Sequence, residues 1–301
     1  MDPLRQSGFS WDSNTTGRKL KPEELLDAAA NCKALVAGTE NLMPLIEVNP
    51  SLKMISRVGI GLDGVPLHEC RRRGIRVSWT PDAVTRAVAE LTVGQMLSSS
   101  RFVRMLDAGI RKQQWARPAG RGIGESIIGL IGFGRIGTSV ARLLRSFSPR
   151  EILVMDIADK TTEIHALQQE GLKIRSAELG ELLQNSHILS LHVPLWKETR
   201  HMISVRELEQ MSSNSILINT ARGGIVDEIA LKHALEKGPE YAEAEWQWYL
   251  SGDKNINALG DIYGKIPQIW YDMADKNGNV NSNYGWQWKR DRQLDNVIAI
   301  L

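Results

Sequence analysis

Gly132, Gly134 and Gly137 stand in the run Ile127-Ile128-Gly129-Leu130-Ile131-Gly132-Phe133-Gly134-Arg135-Ile136-Gly137-Thr138-Ser139-Val140-Ala141. An apolar strand pattern enters a G-x-G-x-x-G turn and a helical pattern leaves it. Glycine at 132 permits the tight turn, at 134 it lets a pyrophosphate approach the backbone, and at 137 it lets the helix pack closely on the strand. The helix start, with Arg135 and Ile136, offers N–H groups and the positive dipole end to phosphate oxygens. The next strand pattern, Ile152–Met155, ends in Asp156, 19 residues after Gly137. A carboxylate there accepts hydrogen bonds from both ribose hydroxyls and repels a 2′-phosphate, which favours NAD over NADP. A glycine triplet alone is a weak sign. Strand, helix and spaced acid together predict a dinucleotide site.

The elements that must position these groups alternate along the first 238 residues. Strand patterns lie at Ala34–Ala37, Met54–Val58, Ile75–Trp79, Ile127–Ile131, Ile152–Met155, Ile188–Val193 and Ile216–Asn219. Helical patterns fall between them at Glu23–Ala30, Leu67–Arg73, Ala83–Met105, Ile136–Leu144, Thr161–Gln169, Leu179–Leu183 and Glu228–Glu236. This rhythm predicts parallel α/β architecture. A chain of 301 residues has room for about two domains, and Lys112–Gly124, rich in Arg and Gly, reads as the linker between two α/β units.

Composition narrows the function. The net charge of +2 argues against a dedicated nucleic-acid binder, which needs a concentrated basic surface. No apolar run reaches the ~18 residues of a membrane span, and the N-terminus lacks a signal-peptide core. Two cysteines, Cys32 and Cys70, make neither a disulfide framework nor a four-thiolate zinc site, so no metal and a reducing cytoplasm are expected. Composition also changes near Gly238-Pro239. All five tyrosines and five of the nine tryptophans follow it, while all six histidines, all four phenylalanines and both cysteines precede it. The net charge is +5 before this seam and −3 after it. Tyr241–Leu250 reads as a short aromatic-rich helix, followed by Gly, Asn and Asp clusters without a βαβ rhythm.

Three further segments carry a family resemblance: Ile55-Ser56-Arg57-Val58-Gly59-Ile60-Gly61-Leu62-Asp63, Val88-Ala89-Glu90-Leu91-Thr92-Val93-Gly94, and Ile218-Asn219-Thr220-Ala221-Arg222-Gly223-Gly224-Ile225-Val226-Asp227-Glu228. With His192-Val193-Pro194-Leu195 and Glu198-Thr199-Arg200-His201, they make residues 1–238 resemble the D-2-hydroxyacid dehydrogenases, especially the phosphoglycerate-dehydrogenase-like branch. The resemblance implies a flavodoxin-like substrate domain over 1–95 and a Rossmann NAD domain over 96–238. It implies that Val58, Gly59, Ile60 and Gly61 present N–H groups to a substrate carboxylate. Arg222, at a strand's C-terminal end, would be catalytic, holding the carboxylate and keto oxygen of a 2-oxo acid. It places His192, Val193, Pro194, Thr199, Thr220 and Ala221 beside the cofactor, and dimerisation through the NAD domain, using the Ala83–Met105 region. Without the family, Arg222 reads equally as a surface arginine and 58–61 as a plain turn. Asp227 reads as a helix N-cap, and His68, His165, His187, His201 and His233 as structural or solvated.

The family's proton acceptor is a histidine paired with a glutamate, both after the Thr220–Gly224 segment. No histidine follows His233, so impaired turnover is expected, since general acid–base help is worth ~10²–10⁴-fold. The family's first strand, its strands after Gly238 and its closing helix are not recognisable. Ile216–Asn219 is therefore expected to be an edge strand, with the apolar Val297–Leu301 able to pair there.

Residues 239–301 resemble another family, the thymidylate synthases and deoxycytidylate hydroxymethylases, through Glu245-Trp246-Gln247-Trp248-Tyr249-Leu250-Ser251-Gly252-Asp253-Lys254-Asn255-Ile256 and Val280-Asn281-Ser282-Asn283-Tyr284-Gly285-Trp286-Gln287-Trp288. By that resemblance Glu245 would be an active-site glutamate, and Trp270 and Tyr284 would line a pyrimidine and folate pocket. An aromatic helix face filling a core is the plainer reading of Trp246 and Trp248. The family's nucleophilic cysteine and phosphate-binding arginine pair are not found in this segment, so it is expected to be a vestigial fragment. The leading expectation is an NAD-dependent oxidoreductase acting on the CH–OH group of a D-2-hydroxy acid. The alternatives are a dUMP or dCMP C5-transferase fragment and a non-catalytic NAD-binding module.

Overall fold

The computed structural model describes residues 8–212, 215–237 and 297–300. Glu245, Trp270, Tyr284 and the Tyr241–Leu250 helix lie outside the described residues. The chain divides into two units, Met1–Val84 and Thr85–Leu301.

In the first unit, β1 (Ala34–Ala37), β2 (Met54–Arg57) and β3 (Arg76–Trp79) form a parallel sheet in the order β1-β2-β3. The register pairs Ala37 with Arg57 and Arg57 with Trp79, so all three strands end on one edge. Helix α1 (Pro22–Ala29) precedes β1, and α2 (Met43–Val48) and α3 (Leu67–Arg72) connect the strands. Leu25, Leu45, Ile46, Ile55, Cys70 and Ile75 form a continuous buried cluster. Asn49, 1% exposed, ties two helix ends together. Its Nδ2 donates to the carbonyls of Ala29 and Cys32 at 2.8 and 2.9 Å, and its Oδ1 accepts from Ser51 N–H at 2.8 Å. Cys32 and Cys70 are free thiols.

The second unit opens with α4 (Thr85–Ser100) and α5 (Val103–Arg111). The sequence predicts one helix over Ala83–Met105. The structure breaks it at Phe102, whose φ of +54° is left-handed and ends the turn. The boundary between units also falls at Val84, not at 95/96 or within Lys112–Gly124. The reason is packing: Ala89, Val93 and Met96 of α4 join Val140 and Leu144 in one core, which ties the helix to the nucleotide-motif sheet.

That sheet is six-stranded and wholly parallel, in the order β6-β5-β4-β7-β8-β9. Its strands are β4 (Ile127–Ile131), β5 (Glu151–Met155), β6 (Ile174–Ser176), β7 (Ile188–Leu191), β8 (Ile216–Asn219) and β9 (Val297–Ile300). Connections α6 (Arg135–Leu144), α7 (Thr161–Gln169), α8 (Leu179–Asn185), α9 (Val205–Gln210) and α10 (Glu228–Lys237) cover it. The near-continuous apolar strands follow from burial on both faces. Ile128, Leu130, Ile152 and Val154 face the layer holding α4, α6 and α7. Ile131, Leu153, Leu189 and Leu217 face Leu182, Leu183 and Leu231 on the other side. The expected edge of β8 is met by β9, which pairs Ile216 with Val297 and Asn219 with Ile300. Strand β6 and helices α2 and α9 had no sequence expectation; each is short, between three and six residues.

Strand order runs β4-β5-β6 in one direction and β4-β7-β8 in the other. The reversal at β4 opens a crevice at the carboxyl ends of β4 and β7, where ligands of open α/β sheets bind.

Candidate functional site

Every strand of the six-stranded parallel sheet delivers its C-terminal loop to the same edge. That edge of the second unit receives Gly132–Gly137 from β4, Asp156 from β5, His192–Thr199 from β7, and Thr220, Ala221 and Arg222 from β8.

The glycine turn behaves differently at its three glycines. Gly132 has φ +91°, and a Cβ there would meet His192 O at 2.5 Å. A Cβ on Gly137 would lie 2.2 Å from Gly132 O. Both are packed inward against backbone. At Gly134 a Cβ would meet nothing within 4 Å. The turn is therefore closed below and clear above. Its helix begins at once: the Thr138 N–H donates to Gly134 O at 3.0 Å, so the N–H groups of Arg135, Ile136 and Gly137 precede the first intrahelical bond. Arg135 is exposed, Ile136 half-buried.

Asp156 faces this turn. Its Oδ2 accepts the Phe133 N–H at 2.6 Å and its Oδ1 the Ala158 N–H at 2.9 Å. Two backbone donors fix the carboxylate beside the loop, and each oxygen keeps further lone-pair capacity for a hydroxyl. The open face at Gly134, the helix start and the fixed acid fit an adenine dinucleotide's pyrophosphate and ribose.

The β7 loop forms the opposite wall. His192 N–H donates to Ile131 O at 2.7 Å, and its ring Nε2 lies 3.0 Å from the hydroxyl of fully buried Ser190. Burial pushes the imidazole down to about 4, so it is neutral near pH 7. Val193 Cγ1 flanks Gly132. Thr199 acts within the loop: its hydroxyl donates to Pro194 O at 2.5 Å and accepts from Trp196 N–H at 2.8 Å. Pro194 is exposed.

At β8, Arg222 is half-buried and its guanidinium donates to Ala221 O at 2.7 Å. The turn that carries it is built by Asn219, which is fully buried. Its Oδ1 accepts from the N–H groups of Ala221 and Arg222 at 3.1 and 3.3 Å, and its Nδ2 donates to Arg222 O at 2.8 Å. Asn219 carried no functional expectation. The signal was present: an Asn closing an apolar strand before a turn bonds its own backbone two residues on. Asp227 caps α10 as the sequence predicts, its Oδ1 accepting Ala230 N–H at 3.1 Å. Hydrogen bonds from Ala230 and Ser204 hold its carboxyl below the usual range against the opposing effect of burial. His187 is also structural, its Nδ1 accepting the Ile127 N–H at 2.8 Å. Burial, with Arg121 and Arg150 nearby, lowers it.

The first unit carries its own turn after β2. Val58 N–H donates to Ala37 O at 2.9 Å. Gly59 has φ +128°, which requires glycine, and its N–H donates to Thr80 Oγ1 at 2.8 Å. Ile60 and Gly61 follow, both half-buried. Thr80 is a second residue without a sequence expectation; it clamps the turn from the end of β3.

Among the described residues no cluster of His, Cys, Asp and Glu could hold a metal. No helix among them is long and apolar enough to cross a membrane.

Residues 93–243 match the family model described as D-isomer specific 2-hydroxyacid dehydrogenase, NAD binding domain. The chain is 34% identical over 232 residues to a hydroxypyruvate reductase of Thermotoga maritima, covering 75% of this chain and 72% of that one. It is 35% identical over 231 residues to a D-3-phosphoglycerate dehydrogenase of Methanocaldococcus jannaschii, covering 75% of this chain but 43% of that protein. Among solved structures, D-lactate dehydrogenase from Aquifex aeolicus, complexed with NAD and lactic acid, superposes with a TM-score of 0.65 at 26% identity, over 83% of this chain and 75% of that one.

Proposed function

The chain belongs to the D-isomer specific 2-hydroxyacid dehydrogenase family, and from that premise we propose that it interconverts a small 2-oxo acid and its D-2-hydroxy acid with NAD. Bound NAD supplies the hydride acceptor or donor. The chain's residues do the rest. The N–H groups at the start of α6 bind the pyrophosphate, and Asp156 accepts from the ribose hydroxyls. Asn219 holds the turn that aims Arg222 at the substrate's oxygens. In the first unit, Val58 and Gly59 spend their N–H groups on Ala37 O and Thr80 Oγ1, so the turn is left to offer a carboxylate the N–H groups of Ile60 and Gly61. The observation that carries the reading is the Asp156–Phe133 hydrogen bond of 2.6 Å, which joins the acid to the glycine turn.

Similarity to a hydroxypyruvate reductase supports a two- or three-carbon substrate. The test is NADH oxidation by the full chain with hydroxypyruvate and glyoxylate. The expected result is a measurable rate that is lost in Arg222→Ala. A rate unaffected by Arg222→Ala refutes the assignment. Self-association through α4 and α5 is part of the proposal: Leu91, Val103 and Ile110 are exposed there at 46%, 51% and 60%. Sedimentation of a monomer at tens of micromolar would remove it.

A further inference from the structure

Thr92, on α4, is fully buried. That hydroxyl donates to Val88 O, one turn back, at 2.8 Å. It also lies 2.8 Å from the hydroxyl of Thr220, the first residue after β8. A hydroxyl has one proton and two lone pairs. The arrangement in which both contacts are hydrogen bonds has Thr92 donate to Val88 O and Thr220 donate to Thr92. The Thr220 oxygen then has only lone pairs to offer a ligand.

We propose that Thr92 is a positioning residue that turns the Thr220 hydroxyl into an acceptor reserved for the nicotinamide carboxamide N–H. The proposal rests on the NAD-dependent reading above. The chemistry selects this ligand group. A 2-oxo acid presents only acceptor oxygens, which a Thr220 oxygen whose proton is directed at Thr92 repels and leaves to Arg222, two residues further on. The carboxamide presents N–H donors. One buried hydroxyl thereby sorts the two ends of the site, donor-bearing cofactor from acceptor-bearing substrate.

The experiment is calorimetric titration of the full chain with ADP-ribose, NADH, and reduced 3-acetylpyridine adenine dinucleotide, whose methyl ketone lacks the amide N–H. The original chain should bind NADH about fivefold more tightly than the ketone analogue, the value of one hydrogen bond. In Thr92→Val the Thr220 proton is released and can meet the ketone oxygen, so the ratio should fall toward about one. Thr220→Val should do the same. Thr92→Ser, which keeps the hydroxyl, should restore the ratio. ADP-ribose affinity should stay within about twofold throughout, because that half of the cofactor does not reach the pair. A ratio near one in the original chain, with ADP-ribose bound, overturns this inference alone, as does a Thr92→Val protein that keeps the fivefold ratio. A folded chain that binds no ADP-ribose overturns the proposed function and this inference with it.

Discussion

Gly137→Ala and Gly134→Ala should separate stability from cofactor binding within one turn. A Cβ at 137 would sit 2.2 Å from Gly132 O and 3.2 Å from Gly132 C, both backbone atoms that no rotamer change can move. Restoring ordinary contact requires α6 to withdraw from β4 by about 1 Å. Overpacking of that kind costs roughly 1–3 kcal/mol. At about 2–4 °C per kcal/mol for a chain of this size, Tm should fall by roughly 2–12 °C. The N–H groups at the helix start move with it, so NADH affinity should fall as well. Gly134 is the control. Its backbone is extended, with φ −80° and ψ −155°, and a Cβ there meets nothing within 4 Å. Gly134→Ala should melt within about 1 °C of the original chain. Its methyl nevertheless stands where a pyrophosphate must approach, and NADH affinity should drop at least tenfold. Differential scanning fluorimetry and NADH titration on both variants make the comparison. A Gly134→Ala protein that binds NADH unchanged refutes the assigned approach face. A Gly137→Ala protein with unchanged Tm refutes the packing argument.

Other outcomes follow from the same edge of the sheet. Asp156→Ser should weaken NADH binding while improving NADPH relative to it, and should cost about 1 kcal/mol in urea melts through the lost acceptor for Phe133 N–H. Asn219→Ala removes three half-buried hydrogen bonds from the Arg222 turn and should lower stability by about 1–3 kcal/mol; Arg222→Lys should leave Tm unchanged but raise KM for the 2-oxo acid, because an ammonium lacks the planar fork. The His192 imidazole has a folded value near 4 against an ordinary 6.5. The unfolded chain therefore takes up the proton first, so His192's contribution is intact above pH 6.5 and is lost as pH falls toward 4, by up to about 3 kcal/mol. His192→Asn should flatten the melting profile over that window, and an unchanged slope would contradict the assignment.

Much of the second unit was legible because its signals are local. The β4 turn and Asp156 follow from glycine stereochemistry and strand spacing, and β4, β5, β7 and β8 carry apolar runs long enough to stand out. What was not legible depends on tertiary packing. No residue at Phe102 announces a left-handed break, and the assignment of α4 to the second unit comes from Ala89, Val93 and Met96 meeting α6. Three-residue β6 owes its existence to pairing with β5. The bonds by which the Thr199 hydroxyl folds its own loop, to Pro194 O and from Trp196 N–H, were also not legible. Thr92 and Asn219 are polar residues inside apolar runs. Their partners lie across the fold or in the next turn, and only coordinates show that both serve the residues after β8.

The most direct test is calorimetric titration of the full chain with NADH at neutral pH. Saturable one-site binding below about 1 mM, weakened at least tenfold by Gly134→Ala at unchanged Tm, is the predicted result. A cooperatively melting protein that releases no binding heat up to several millimolar NADH would contradict the account.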